Sequence, residues 1–492
     1  MVLTASIEGL DVHVVKVESD VDRRSVIRGV DIVGMADTSV KESEKRIKGA
    51  LKNNGFDFLK GRITVNLSPA DLRKSGSHFD LPIALSILHS IGELKELEIF
   101  AMGELSLSGE IRPVRGVLPA LLKLRELEFR GIVIVPKGNE KEAAVTGKEG
   151  VYALSHIREA YELINDVAVF QEVKSEIPLP SFNYGVDIAE VKGQEMAKRA
   201  LEIAAAGFHN LLMVGPPGSG KTMLARRLPS ILPPMTMEEM LDTTRIYSVA
   251  GLLRDGIITM RPFRAPHHTA SPASIIGGGA SARPGEISLA HNGVLFMDEL
   301  PEFRRDVLEA LREPLEERKI TVARAKTVAV YPARFIFVGA MNPCACLEVD
   351  DEGECICSEL EKARYMRKIS GPILDRMDLM VRVRRMKFEE FRKKEKGESS
   401  EKVRERVMEA RKRQLLRGKL NSELTRSEIE KFVKLDEFSE KILGDFANRF
   451  AVSGRAIDKV LKVARTIADL EGSEKVEKEH ILEALQFRMV VL

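Results

Sequence analysis

"NLLMVGPPGSGKTMLARRL", residues 210–228, decides the fold class, because an apolar strand pattern runs through a glycine-rich loop into a helical pattern. A G-x-x-x-x-G-K-T loop in this context binds nucleotide phosphates: backbone N–H groups surround them, the lysine reaches the β- and γ-phosphates, and the threonine ligates Mg²⁺. We therefore predict an α/β core with an ATP and Mg²⁺ site that contains Gly215, Pro216, Pro217, Gly218, Ser219, Gly220, Lys221 and Thr222.

Two later apolar runs end in polar residues, as neighbouring strands of a nucleotide-binding sheet do. "NGVLFMDEL" (292–300) ends in Asp298 and Glu299, and "ARFIFVGAMN" (333–342) ends in Asn342. We expect Asp298 to hold Mg²⁺ and Glu299 to orient and deprotonate the attacking water, because phosphoryl transfer depends on positioning and charge stabilisation. Asn342 is placed to hydrogen-bond the water or the γ-phosphate. A lone Asp-Glu pair is common at strand ends, but here it follows a phosphate-binding loop.

Two arginines follow these strands along the chain. Arg376 stands in "SGPILDRMDL" (370–379), on a turn or short helix, and Arg455 begins the helical pattern "RAIDKVLKVARTIADLEG" (455–472). An arginine that reaches a transferring phosphate raises the rate by orders of magnitude, and it can come from a neighbouring subunit. Each arginine alone is equally well explained as a surface ion pair. The ordered set favours a catalytic role for both.

The ordered set resembles an AAA+ ATPase, with Walker A, Walker B, sensor 1, arginine finger and sensor 2 in sequence. The nearer resemblance, over essentially the whole chain, is to the magnesium-chelatase-like ComM/YifB family. It is carried by long motifs such as "RPFRAPHHTAS" (261–271), "PGEISLAHNGVLFMDELPEF" (284–303) and "YPARFIFVGAMNPCAC" (331–346). The resemblance implies an ATP-driven ring, a hexamer, that moves DNA by branch migration in recombination and natural transformation, with recombination proteins as partners.

Length and composition predict a multidomain globular protein. The 492 residues carry a net charge of +2, and no apolar run approaches the ~20 residues of a membrane span, so we expect a cytoplasmic protein without membrane partners. We predict an N-terminal α+β domain (1–170), a linker (171–187), an AAA+ α/β core (188–385) and a C-terminal helical lid of the magnesium-chelatase type (386–492).

The N-terminal segment resembles the Lon-protease-like domain that the family shares with the RadA recombination protein. Lon proteases use a serine and lysine dyad. Where that serine aligns, this chain has Gly76, Ser77 and His78, and Leu118 stands where the lysine falls. Without a nucleophile and its activating amine, covalent acyl transfer is not available. We expect a non-proteolytic scaffold that binds DNA or stabilises the ring.

Three features suggest how a strand of DNA is held. "KITVARAKTVAVYP" (319–332) alternates apolar residues around a basic tip, which predicts a hairpin whose Arg324 and Lys326 contact phosphates without reading sequence. An ordinary solvated hairpin tip is the alternative. Because adjacent side chains are expected to point in different directions, and because His267 and His268 have no acid at a typical metal spacing, we assign them to a loop or pore. Residues 382–419 carry 16 Lys or Arg against 7 Glu, which fits a DNA-binding face or a solvated helix.

All four cysteines of the chain lie in "NPCACLEVDDEGECIC" (342–357), as Cys344, Cys346, Cys355 and Cys357. Two C-x-C pairs supply a tetrahedral S₄ site for Zn²⁺, which is the favoured interpretation. Disulfides and unligated thiols are the alternatives, and a reducing cytoplasm disfavours the first. We interpret the cluster as a structural clip between Asn342 and Arg376.

Three functions remain open from the sequence. The leading hypothesis is an ATP-dependent DNA motor. A magnesium-chelatase-type ATPase that drives metal insertion into a tetrapyrrole, or another remodelling role, is the alternative. A passive DNA-binding scaffold is the third, and the intact ATPase motifs argue against it.

Overall fold

Two larger β-sheets and a C-terminal group of helices make up the part of the chain that the structure describes. The structure is a computed structural model. It describes residues 1–25, 29–56, 61–176, 178–253, 256–279, 282–324, 327–344, 357–385, 397–450 and 452–488.

The N-terminal sheet has seven strands in the order β3-β4-β2-β1-β5-β8-β9, with antiparallel pairing at β1–β2 and β2–β4 and parallel pairing elsewhere. The strands of this region are β1 (Val2–Glu8), β2 (Asp11–Asp22), β3 (Gly29–Val33), β4 (Arg62–Ser68), β5 (Ile99–Ala101), β6 (Glu104–Leu105), β7 (Ile111–Arg112), β8 (Ile132–Pro136) and β9 (Val151–Leu154). Its helices are α1 (Thr38–Asn53), α2 (Asp80–Ser90), α3 (Val117–Glu126), α4 (Glu140–Ala144) and α5 (Ile157–Ile164). Helix α2 is buried along nearly its whole length and lies against the sheet.

The central sheet is parallel, with the order β11-β14-β17-β10-β18. The strands of this region are β10 (Leu211–Val214), β11 (Phe263–Arg264), β12 (Gly277–Gly278), β13 (Arg283–Pro284), β14 (Val294–Met297), β15 (Lys319–Arg324), β16 (Thr327–Pro332), β17 (Ile336–Met341) and β18 (Leu379–Arg382). Strands β14 and β17 are buried at every residue, as expected of a parallel sheet covered on both faces. The carboxyl ends of parallel strands meet at one edge, which is where such sheets place their ligand sites.

Helices cover the central sheet and connect its strands. They are α6 (Glu195–Gly207), α7 (Lys221–Ile231), α8 (Met237–Ala250), α9 (Pro272–Ile276), α10 (Glu286–Leu289), α11 (Arg305–Ala310), α12 (Arg312–Glu317), α13 (Glu359–Met366) and α14 (Gly371–Leu374). Short strands β12 and β13 pair with each other, and β15 and β16 form a separate antiparallel hairpin.

The C-terminal segment is helical. It contains α15 (Ser400–Leu416), α16 (Arg426–Phe432), α17 (Glu437–Phe450), α18 (Gly454–Glu471) and α19 (Lys478–Gln486). Apolar residues of α15, α18 and α19 join those of α6, α7 and the central sheet in one core. Mixed α/β architecture with a parallel sheet and many helices fits the AAA+ fold expected from the sequence.

Arginines of the basic stretch hold α15 against its neighbours. Arg404 donates to the Ser230 carbonyl, and the Arg411 guanidinium donates to the Ala205 carbonyl in the interior. Arg417 is ion-paired with Asp469 of α18. These three arginines are therefore used within the fold, while residues 386–396 of the basic stretch lie outside the described residues, so its role as a DNA-binding face or a solvated helix stays a prediction.

Direct contacts join the N-terminal region to the central one. The Gly116 N–H donates to Ser248 Oγ of α8 at 3.1 Å, and the Ser248 hydroxyl donates to the buried carboxyl of Glu142. At the turn between β1 and β2, a Cβ on Gly9 would lie 2.8 Å from the Ala329 Cβ of β16. The β15–β16 hairpin is thus supported from the N-terminal side.

Among the residues that the structure describes, none of the helices is long and apolar enough to cross a membrane.

Candidate functional site

The phosphate-binding loop lies between β10 and α7, at the carboxyl edge of the central sheet. Gly220 precedes the first helical residue, Lys221, and has a φ of 94°, which a glycine adopts without strain. Gly215 is required for a different reason, since a Cβ there would lie 2.0 Å from the Val383 carbonyl oxygen. The loop therefore fits closely against the end of β18.

Lys221 bridges the loop and the end of β17. Its Nζ donates to the carbonyl oxygens of Gly215 (2.6 Å) and Pro216 (3.0 Å), and to Asn342 Oδ1 at 3.2 Å. Burial lowers the pKa of the Lys221 ammonium, and the charges of Asp298 and Glu299 oppose that shift. The structure thus brings together two residues that the sequence assigned to the γ-phosphate.

A second contact joins the loop to the end of β14. The Thr222 hydroxyl donates to Asp298 Oδ2 at 2.6 Å, while the other oxygen of Asp298 accepts the Glu299 N–H at 3.0 Å. A hydroxyl and a carboxylate are the hard oxygen donors that Mg²⁺ prefers. These two side chains are therefore suited to a magnesium ion.

Glu299 has a backbone conformation that is uncommon for its residue type. Its φ is 51° and its ψ is 46°, in the left-handed region. The carboxylate is exposed, and its Oε2 lies 3.0 Å from His268 Nδ1. Such conformations cluster at functional sites, where surrounding contacts maintain them.

His268 is a residue of this site that sequence reasoning missed. We assigned it with His267 to a loop or pore, yet only His268 contacts Glu299, whereas His267 Nδ1 lies 2.8 Å from Thr269 Oγ1.

Gln194 was missed as well: it is buried, and its amide donates to the Arg384 carbonyl (2.6 Å) and the Ser219 carbonyl (3.4 Å). The sequence offered only a polar residue before α6 as a signal for it.

Arg376 lies at the opposite edge of the sheet. Its carbonyl accepts from Asn210 Nδ2 at 3.1 Å, and Asn210 immediately precedes β10, whereas the phosphate-binding loop follows that strand. Four residues of strand span about 13 Å. The Arg376 guanidinium is ion-paired with Glu316.

The remaining predicted residues stay apart from this constellation. Arg455 is exposed in the first turn of α18 and makes none of the contacts described above. Strands β15 and β16 pair Arg324 with Thr327; the Arg324 side chain and Lys326 lie outside the described residues. In the Lon-protease-like segment, Ser77 is half-buried. The lysine three residues before it, Lys74, donates its amine hydrogen to the Pro69 carbonyl.

The cysteine cluster falls largely outside the described residues. Cys344 is buried and Cys357 is half-buried, while Cys346 and Cys355 belong to the undescribed segment 345–356. Within the described ranges, no group of three or more His, Cys, Asp or Glu side chains is arranged to hold a metal ion. The zinc site therefore stays a prediction.

Comparison with known proteins gives the family. The family models described as "Magnesium chelatase, subunit ChlI", "Subunit ChlI of Mg-chelatase" and "Magnesium chelatase, subunit ChlI C-terminal" match residues 187–391, 17–139 and 397–488. Competence protein ComM of Haemophilus influenzae is 41% identical over 475 residues, which cover 94% of this chain and 92% of that protein. The chain belongs to the ComM/YifB family.

Other relatives agree with this assignment. The protein YifB of Salmonella typhimurium is 40% identical to this ComM/YifB-family chain over 476 residues, 94% of this chain and 92% of YifB. An uncharacterised protein of Mycobacterium tuberculosis is 40% identical over 500 residues, 99% of this chain and 97% of its own length. Membership of this magnesium-chelatase-like family implies an AAA+ ATPase.

Proposed function

We propose that this ComM/YifB-family protein is an ATP-driven motor that assembles as a ring, a hexamer, and promotes branch migration of DNA in recombination and natural transformation. The observation that carries the ATPase part is the joint placement of Lys221, Thr222, Asp298 and Asn342 at one sheet edge. The DNA part is supported by the Haemophilus relative, which is named a competence protein, since competence is the capacity to take up DNA.

ATP binding begins with exchange of contacts in the loop. The Lys221 ammonium leaves the carbonyls of Gly215 and Pro216 for the β- and γ-phosphates, and Asn342 stays beside it to orient the γ-phosphate or the water. Backbone N–H groups at the start of α7 add positive potential. Thr222 and Asp298 would hold Mg²⁺, which neutralises charge that develops on the phosphates.

Hydrolysis then depends on Glu299. Its carboxylate accepts a proton from the water that attacks the γ-phosphate, and the β-phosphate of ADP departs. His268 holds that carboxylate from one side. Arg376 acts on the phosphates of a neighbouring subunit, which the position of its backbone at the opposite sheet edge supports. Arg455, in the C-terminal helical lid, contacts the bound nucleotide in this proposal.

DNA is held by the tip of the β15–β16 hairpin, with Arg324 and Lys326 on the phosphates. The hairpin is well anchored for such a role. Ile320, Val322 and Tyr331 face the core, and the Tyr331 hydroxyl donates to the Ala282 carbonyl at 2.9 Å.

ATP hydrolysis by the purified protein, measured with and without a branched DNA, tests this proposal. We expect branched DNA to stimulate the rate, and we expect Lys221→Ala to abolish it. A rate that is unchanged by DNA, together with no DNA binding in the presence of an ATP analogue, would contradict the motor function.

Metal insertion into a tetrapyrrole is the second candidate, because all three matching family models carry the magnesium chelatase description. A chelation assay with a porphyrin, Mg²⁺, ATP and partner chelatase subunits distinguishes the two. Porphyrin metallation without any response to DNA would favour this alternative.

A further inference from the structure

The Arg376 guanidinium is folded back on its own subunit. It is ion-paired with Glu316 of α12, and one of its terminal nitrogens also donates to the Pro372 carbonyl at 2.6 Å. The Arg376 side chain is only 12% exposed, whereas the Glu316 side chain is 55% exposed. Within the described part of the chain, the buried Nε of Arg376 has no hydrogen-bond partner. The arginine is therefore withheld from solvent, while its acidic partner is accessible.

An arginine held in this way is not available to a second copy of the chain. A guanidinium stabilises a transferring phosphate by presenting its fork of N–H donors and its full charge. In the present arrangement a carboxylate neutralises that charge and a carbonyl uses a donor. Arg376 must exchange Glu316 for a phosphate before it can act.

Glu316 is directly connected to the β15–β16 hairpin. Helix α12 ends at Glu317, and β15 begins at Lys319 after a single intervening residue. The two elements are also bonded side by side, because the Thr321 hydroxyl and N–H both donate to the Glu313 carboxylate, at 2.7 Å and 3.2 Å. A displacement of the hairpin therefore displaces α12.

We propose that Glu316 is a positioning residue that retains Arg376 in the resting subunit, and that engagement of DNA by the hairpin moves α12 and releases the arginine toward the neighbouring active site. This inference rests on the proposed function, since it takes the hairpin as the DNA contact and Arg376 as the group supplied to a second copy. It explains how DNA bound to the hairpin of one subunit would raise ATP hydrolysis in the next subunit.

The test is the steady-state ATPase of the full-length Glu316→Gln protein, with and without branched DNA. We expect the ATPase rate without DNA to rise about tenfold. This is the change expected if the fraction of subunits with a released Arg376 goes from roughly a tenth to nearly all. The ratio of the rates with and without DNA should fall toward one, and KM for ATP should stay unchanged. Adding Arg376→Ala to Glu316→Gln should abolish the gain. Glu316→Asp, which keeps the charge, should behave nearer to the parent protein.

Glu317→Gln is the matched control, because Glu317 is adjacent but paired with Lys319 at 2.9 Å. Its rates should equal those of the parent. The inference is overturned if Glu316→Gln leaves both rates as in the parent, or if its gain survives Arg376→Ala. A parent protein that binds DNA without stimulation of its ATPase refutes the DNA-driven release alone, whereas a parent protein that neither binds DNA nor responds to it contradicts the proposed function as well. Glu316→Gln then tests only the retention of Arg376, through the rate without DNA.

Discussion

Replacing His268 by alanine tests how the proposed catalytic carboxylate is held. His268 Nδ1 lies 3.0 Å from Glu299 Oε2, and the two side chains are 28% and 56% exposed. A hydrogen bond to a charged group contributes about 1.5 to 3 kcal/mol when shielded, and an exposed ion pair contributes up to about 1 kcal/mol. Because Glu299 is more than half exposed, we take about 1 kcal/mol for this contact. That value corresponds to a roughly fivefold loss of kcat.

The assay is steady-state ATP hydrolysis over a range of ATP concentrations. We expect His268→Ala to lower kcat about fivefold while KM for ATP changes little, because the contact orients the base rather than the nucleotide. His267→Ala is the matched control, since His267 contacts Thr269 instead of Glu299; its ring packs against that of His268 at 4.1 Å between centroids, so we expect a smaller loss rather than none. An unchanged or increased kcat for His268→Ala, or an equal loss for His267→Ala, would refute the reasoning.

Three further predictions concern stability, the phosphate-binding loop and the cysteines. Burial lowers the pKa of His291 from 6.5 to about 4, and its Nδ1 accepts the Arg334 N–H. The neutral imidazole therefore contributes fully to the free energy of unfolding above pH 6.5, and this contribution is lost as the pH falls toward 4. The free energy of unfolding that is lost in this way reaches about 3 kcal/mol. His291→Asn, which can keep a hydrogen-bond acceptor, should make the denaturation midpoint less dependent on pH between pH 7 and 4.5. Equal pH dependence of the midpoint in both proteins would contradict this. Gly215→Ala places a Cβ 2.0 Å from the Val383 carbonyl and should weaken binding of a fluorescent ATP analogue by about tenfold or more, whereas Gly444→Ala, which meets no atom within 4 Å, should not. Metal analysis of anaerobically purified protein should find zinc that is lost on Cys344→Ser, and its absence would remove the zinc prediction.

The grouping of the candidate ATP-site residues at one sheet edge was predictable because its signals are local. A strand, a glycine-rich loop and a helix are consecutive from 210 to 228, and the acids and the asparagine follow apolar runs directly. The rule that parallel strands end at one edge then brings Lys221 and Asn342 together. The observed Lys221–Asn342 contact agrees with that expectation.

Contacts that depend on tertiary packing were not predictable. His268 and Glu299 are far apart in sequence, and no periodicity relates them. The hairpin shows a similar limit. The alternation of apolar residues over 319–332 groups Val328 and Val330 with Ile320 and Val322, yet Val328 and Val330 are 65% and 51% exposed. Pairing of Arg324 with Thr327 fixes the register, which places Ala329 and Tyr331 on the buried face instead.

In the described part of the basic stretch 382–419, some charges are used within the fold, which a charge count alone does not reveal. Arg406 pairs with Glu202 and Glu398, and Arg411 is buried against α6. Composition records the charge of these residues but not their partners, of which Glu202 and the Ala205 carbonyl come from a distant part of the chain.

Movement of a four-way DNA junction by the purified protein tests the central claim most directly. We expect ATP-dependent branch migration by the parent protein and its loss in Glu299→Gln, which retains the fold and nucleotide binding but lacks the base. Hydrolysis of ATP without any movement of the junction, or equal movement by Glu299→Gln, would contradict the account.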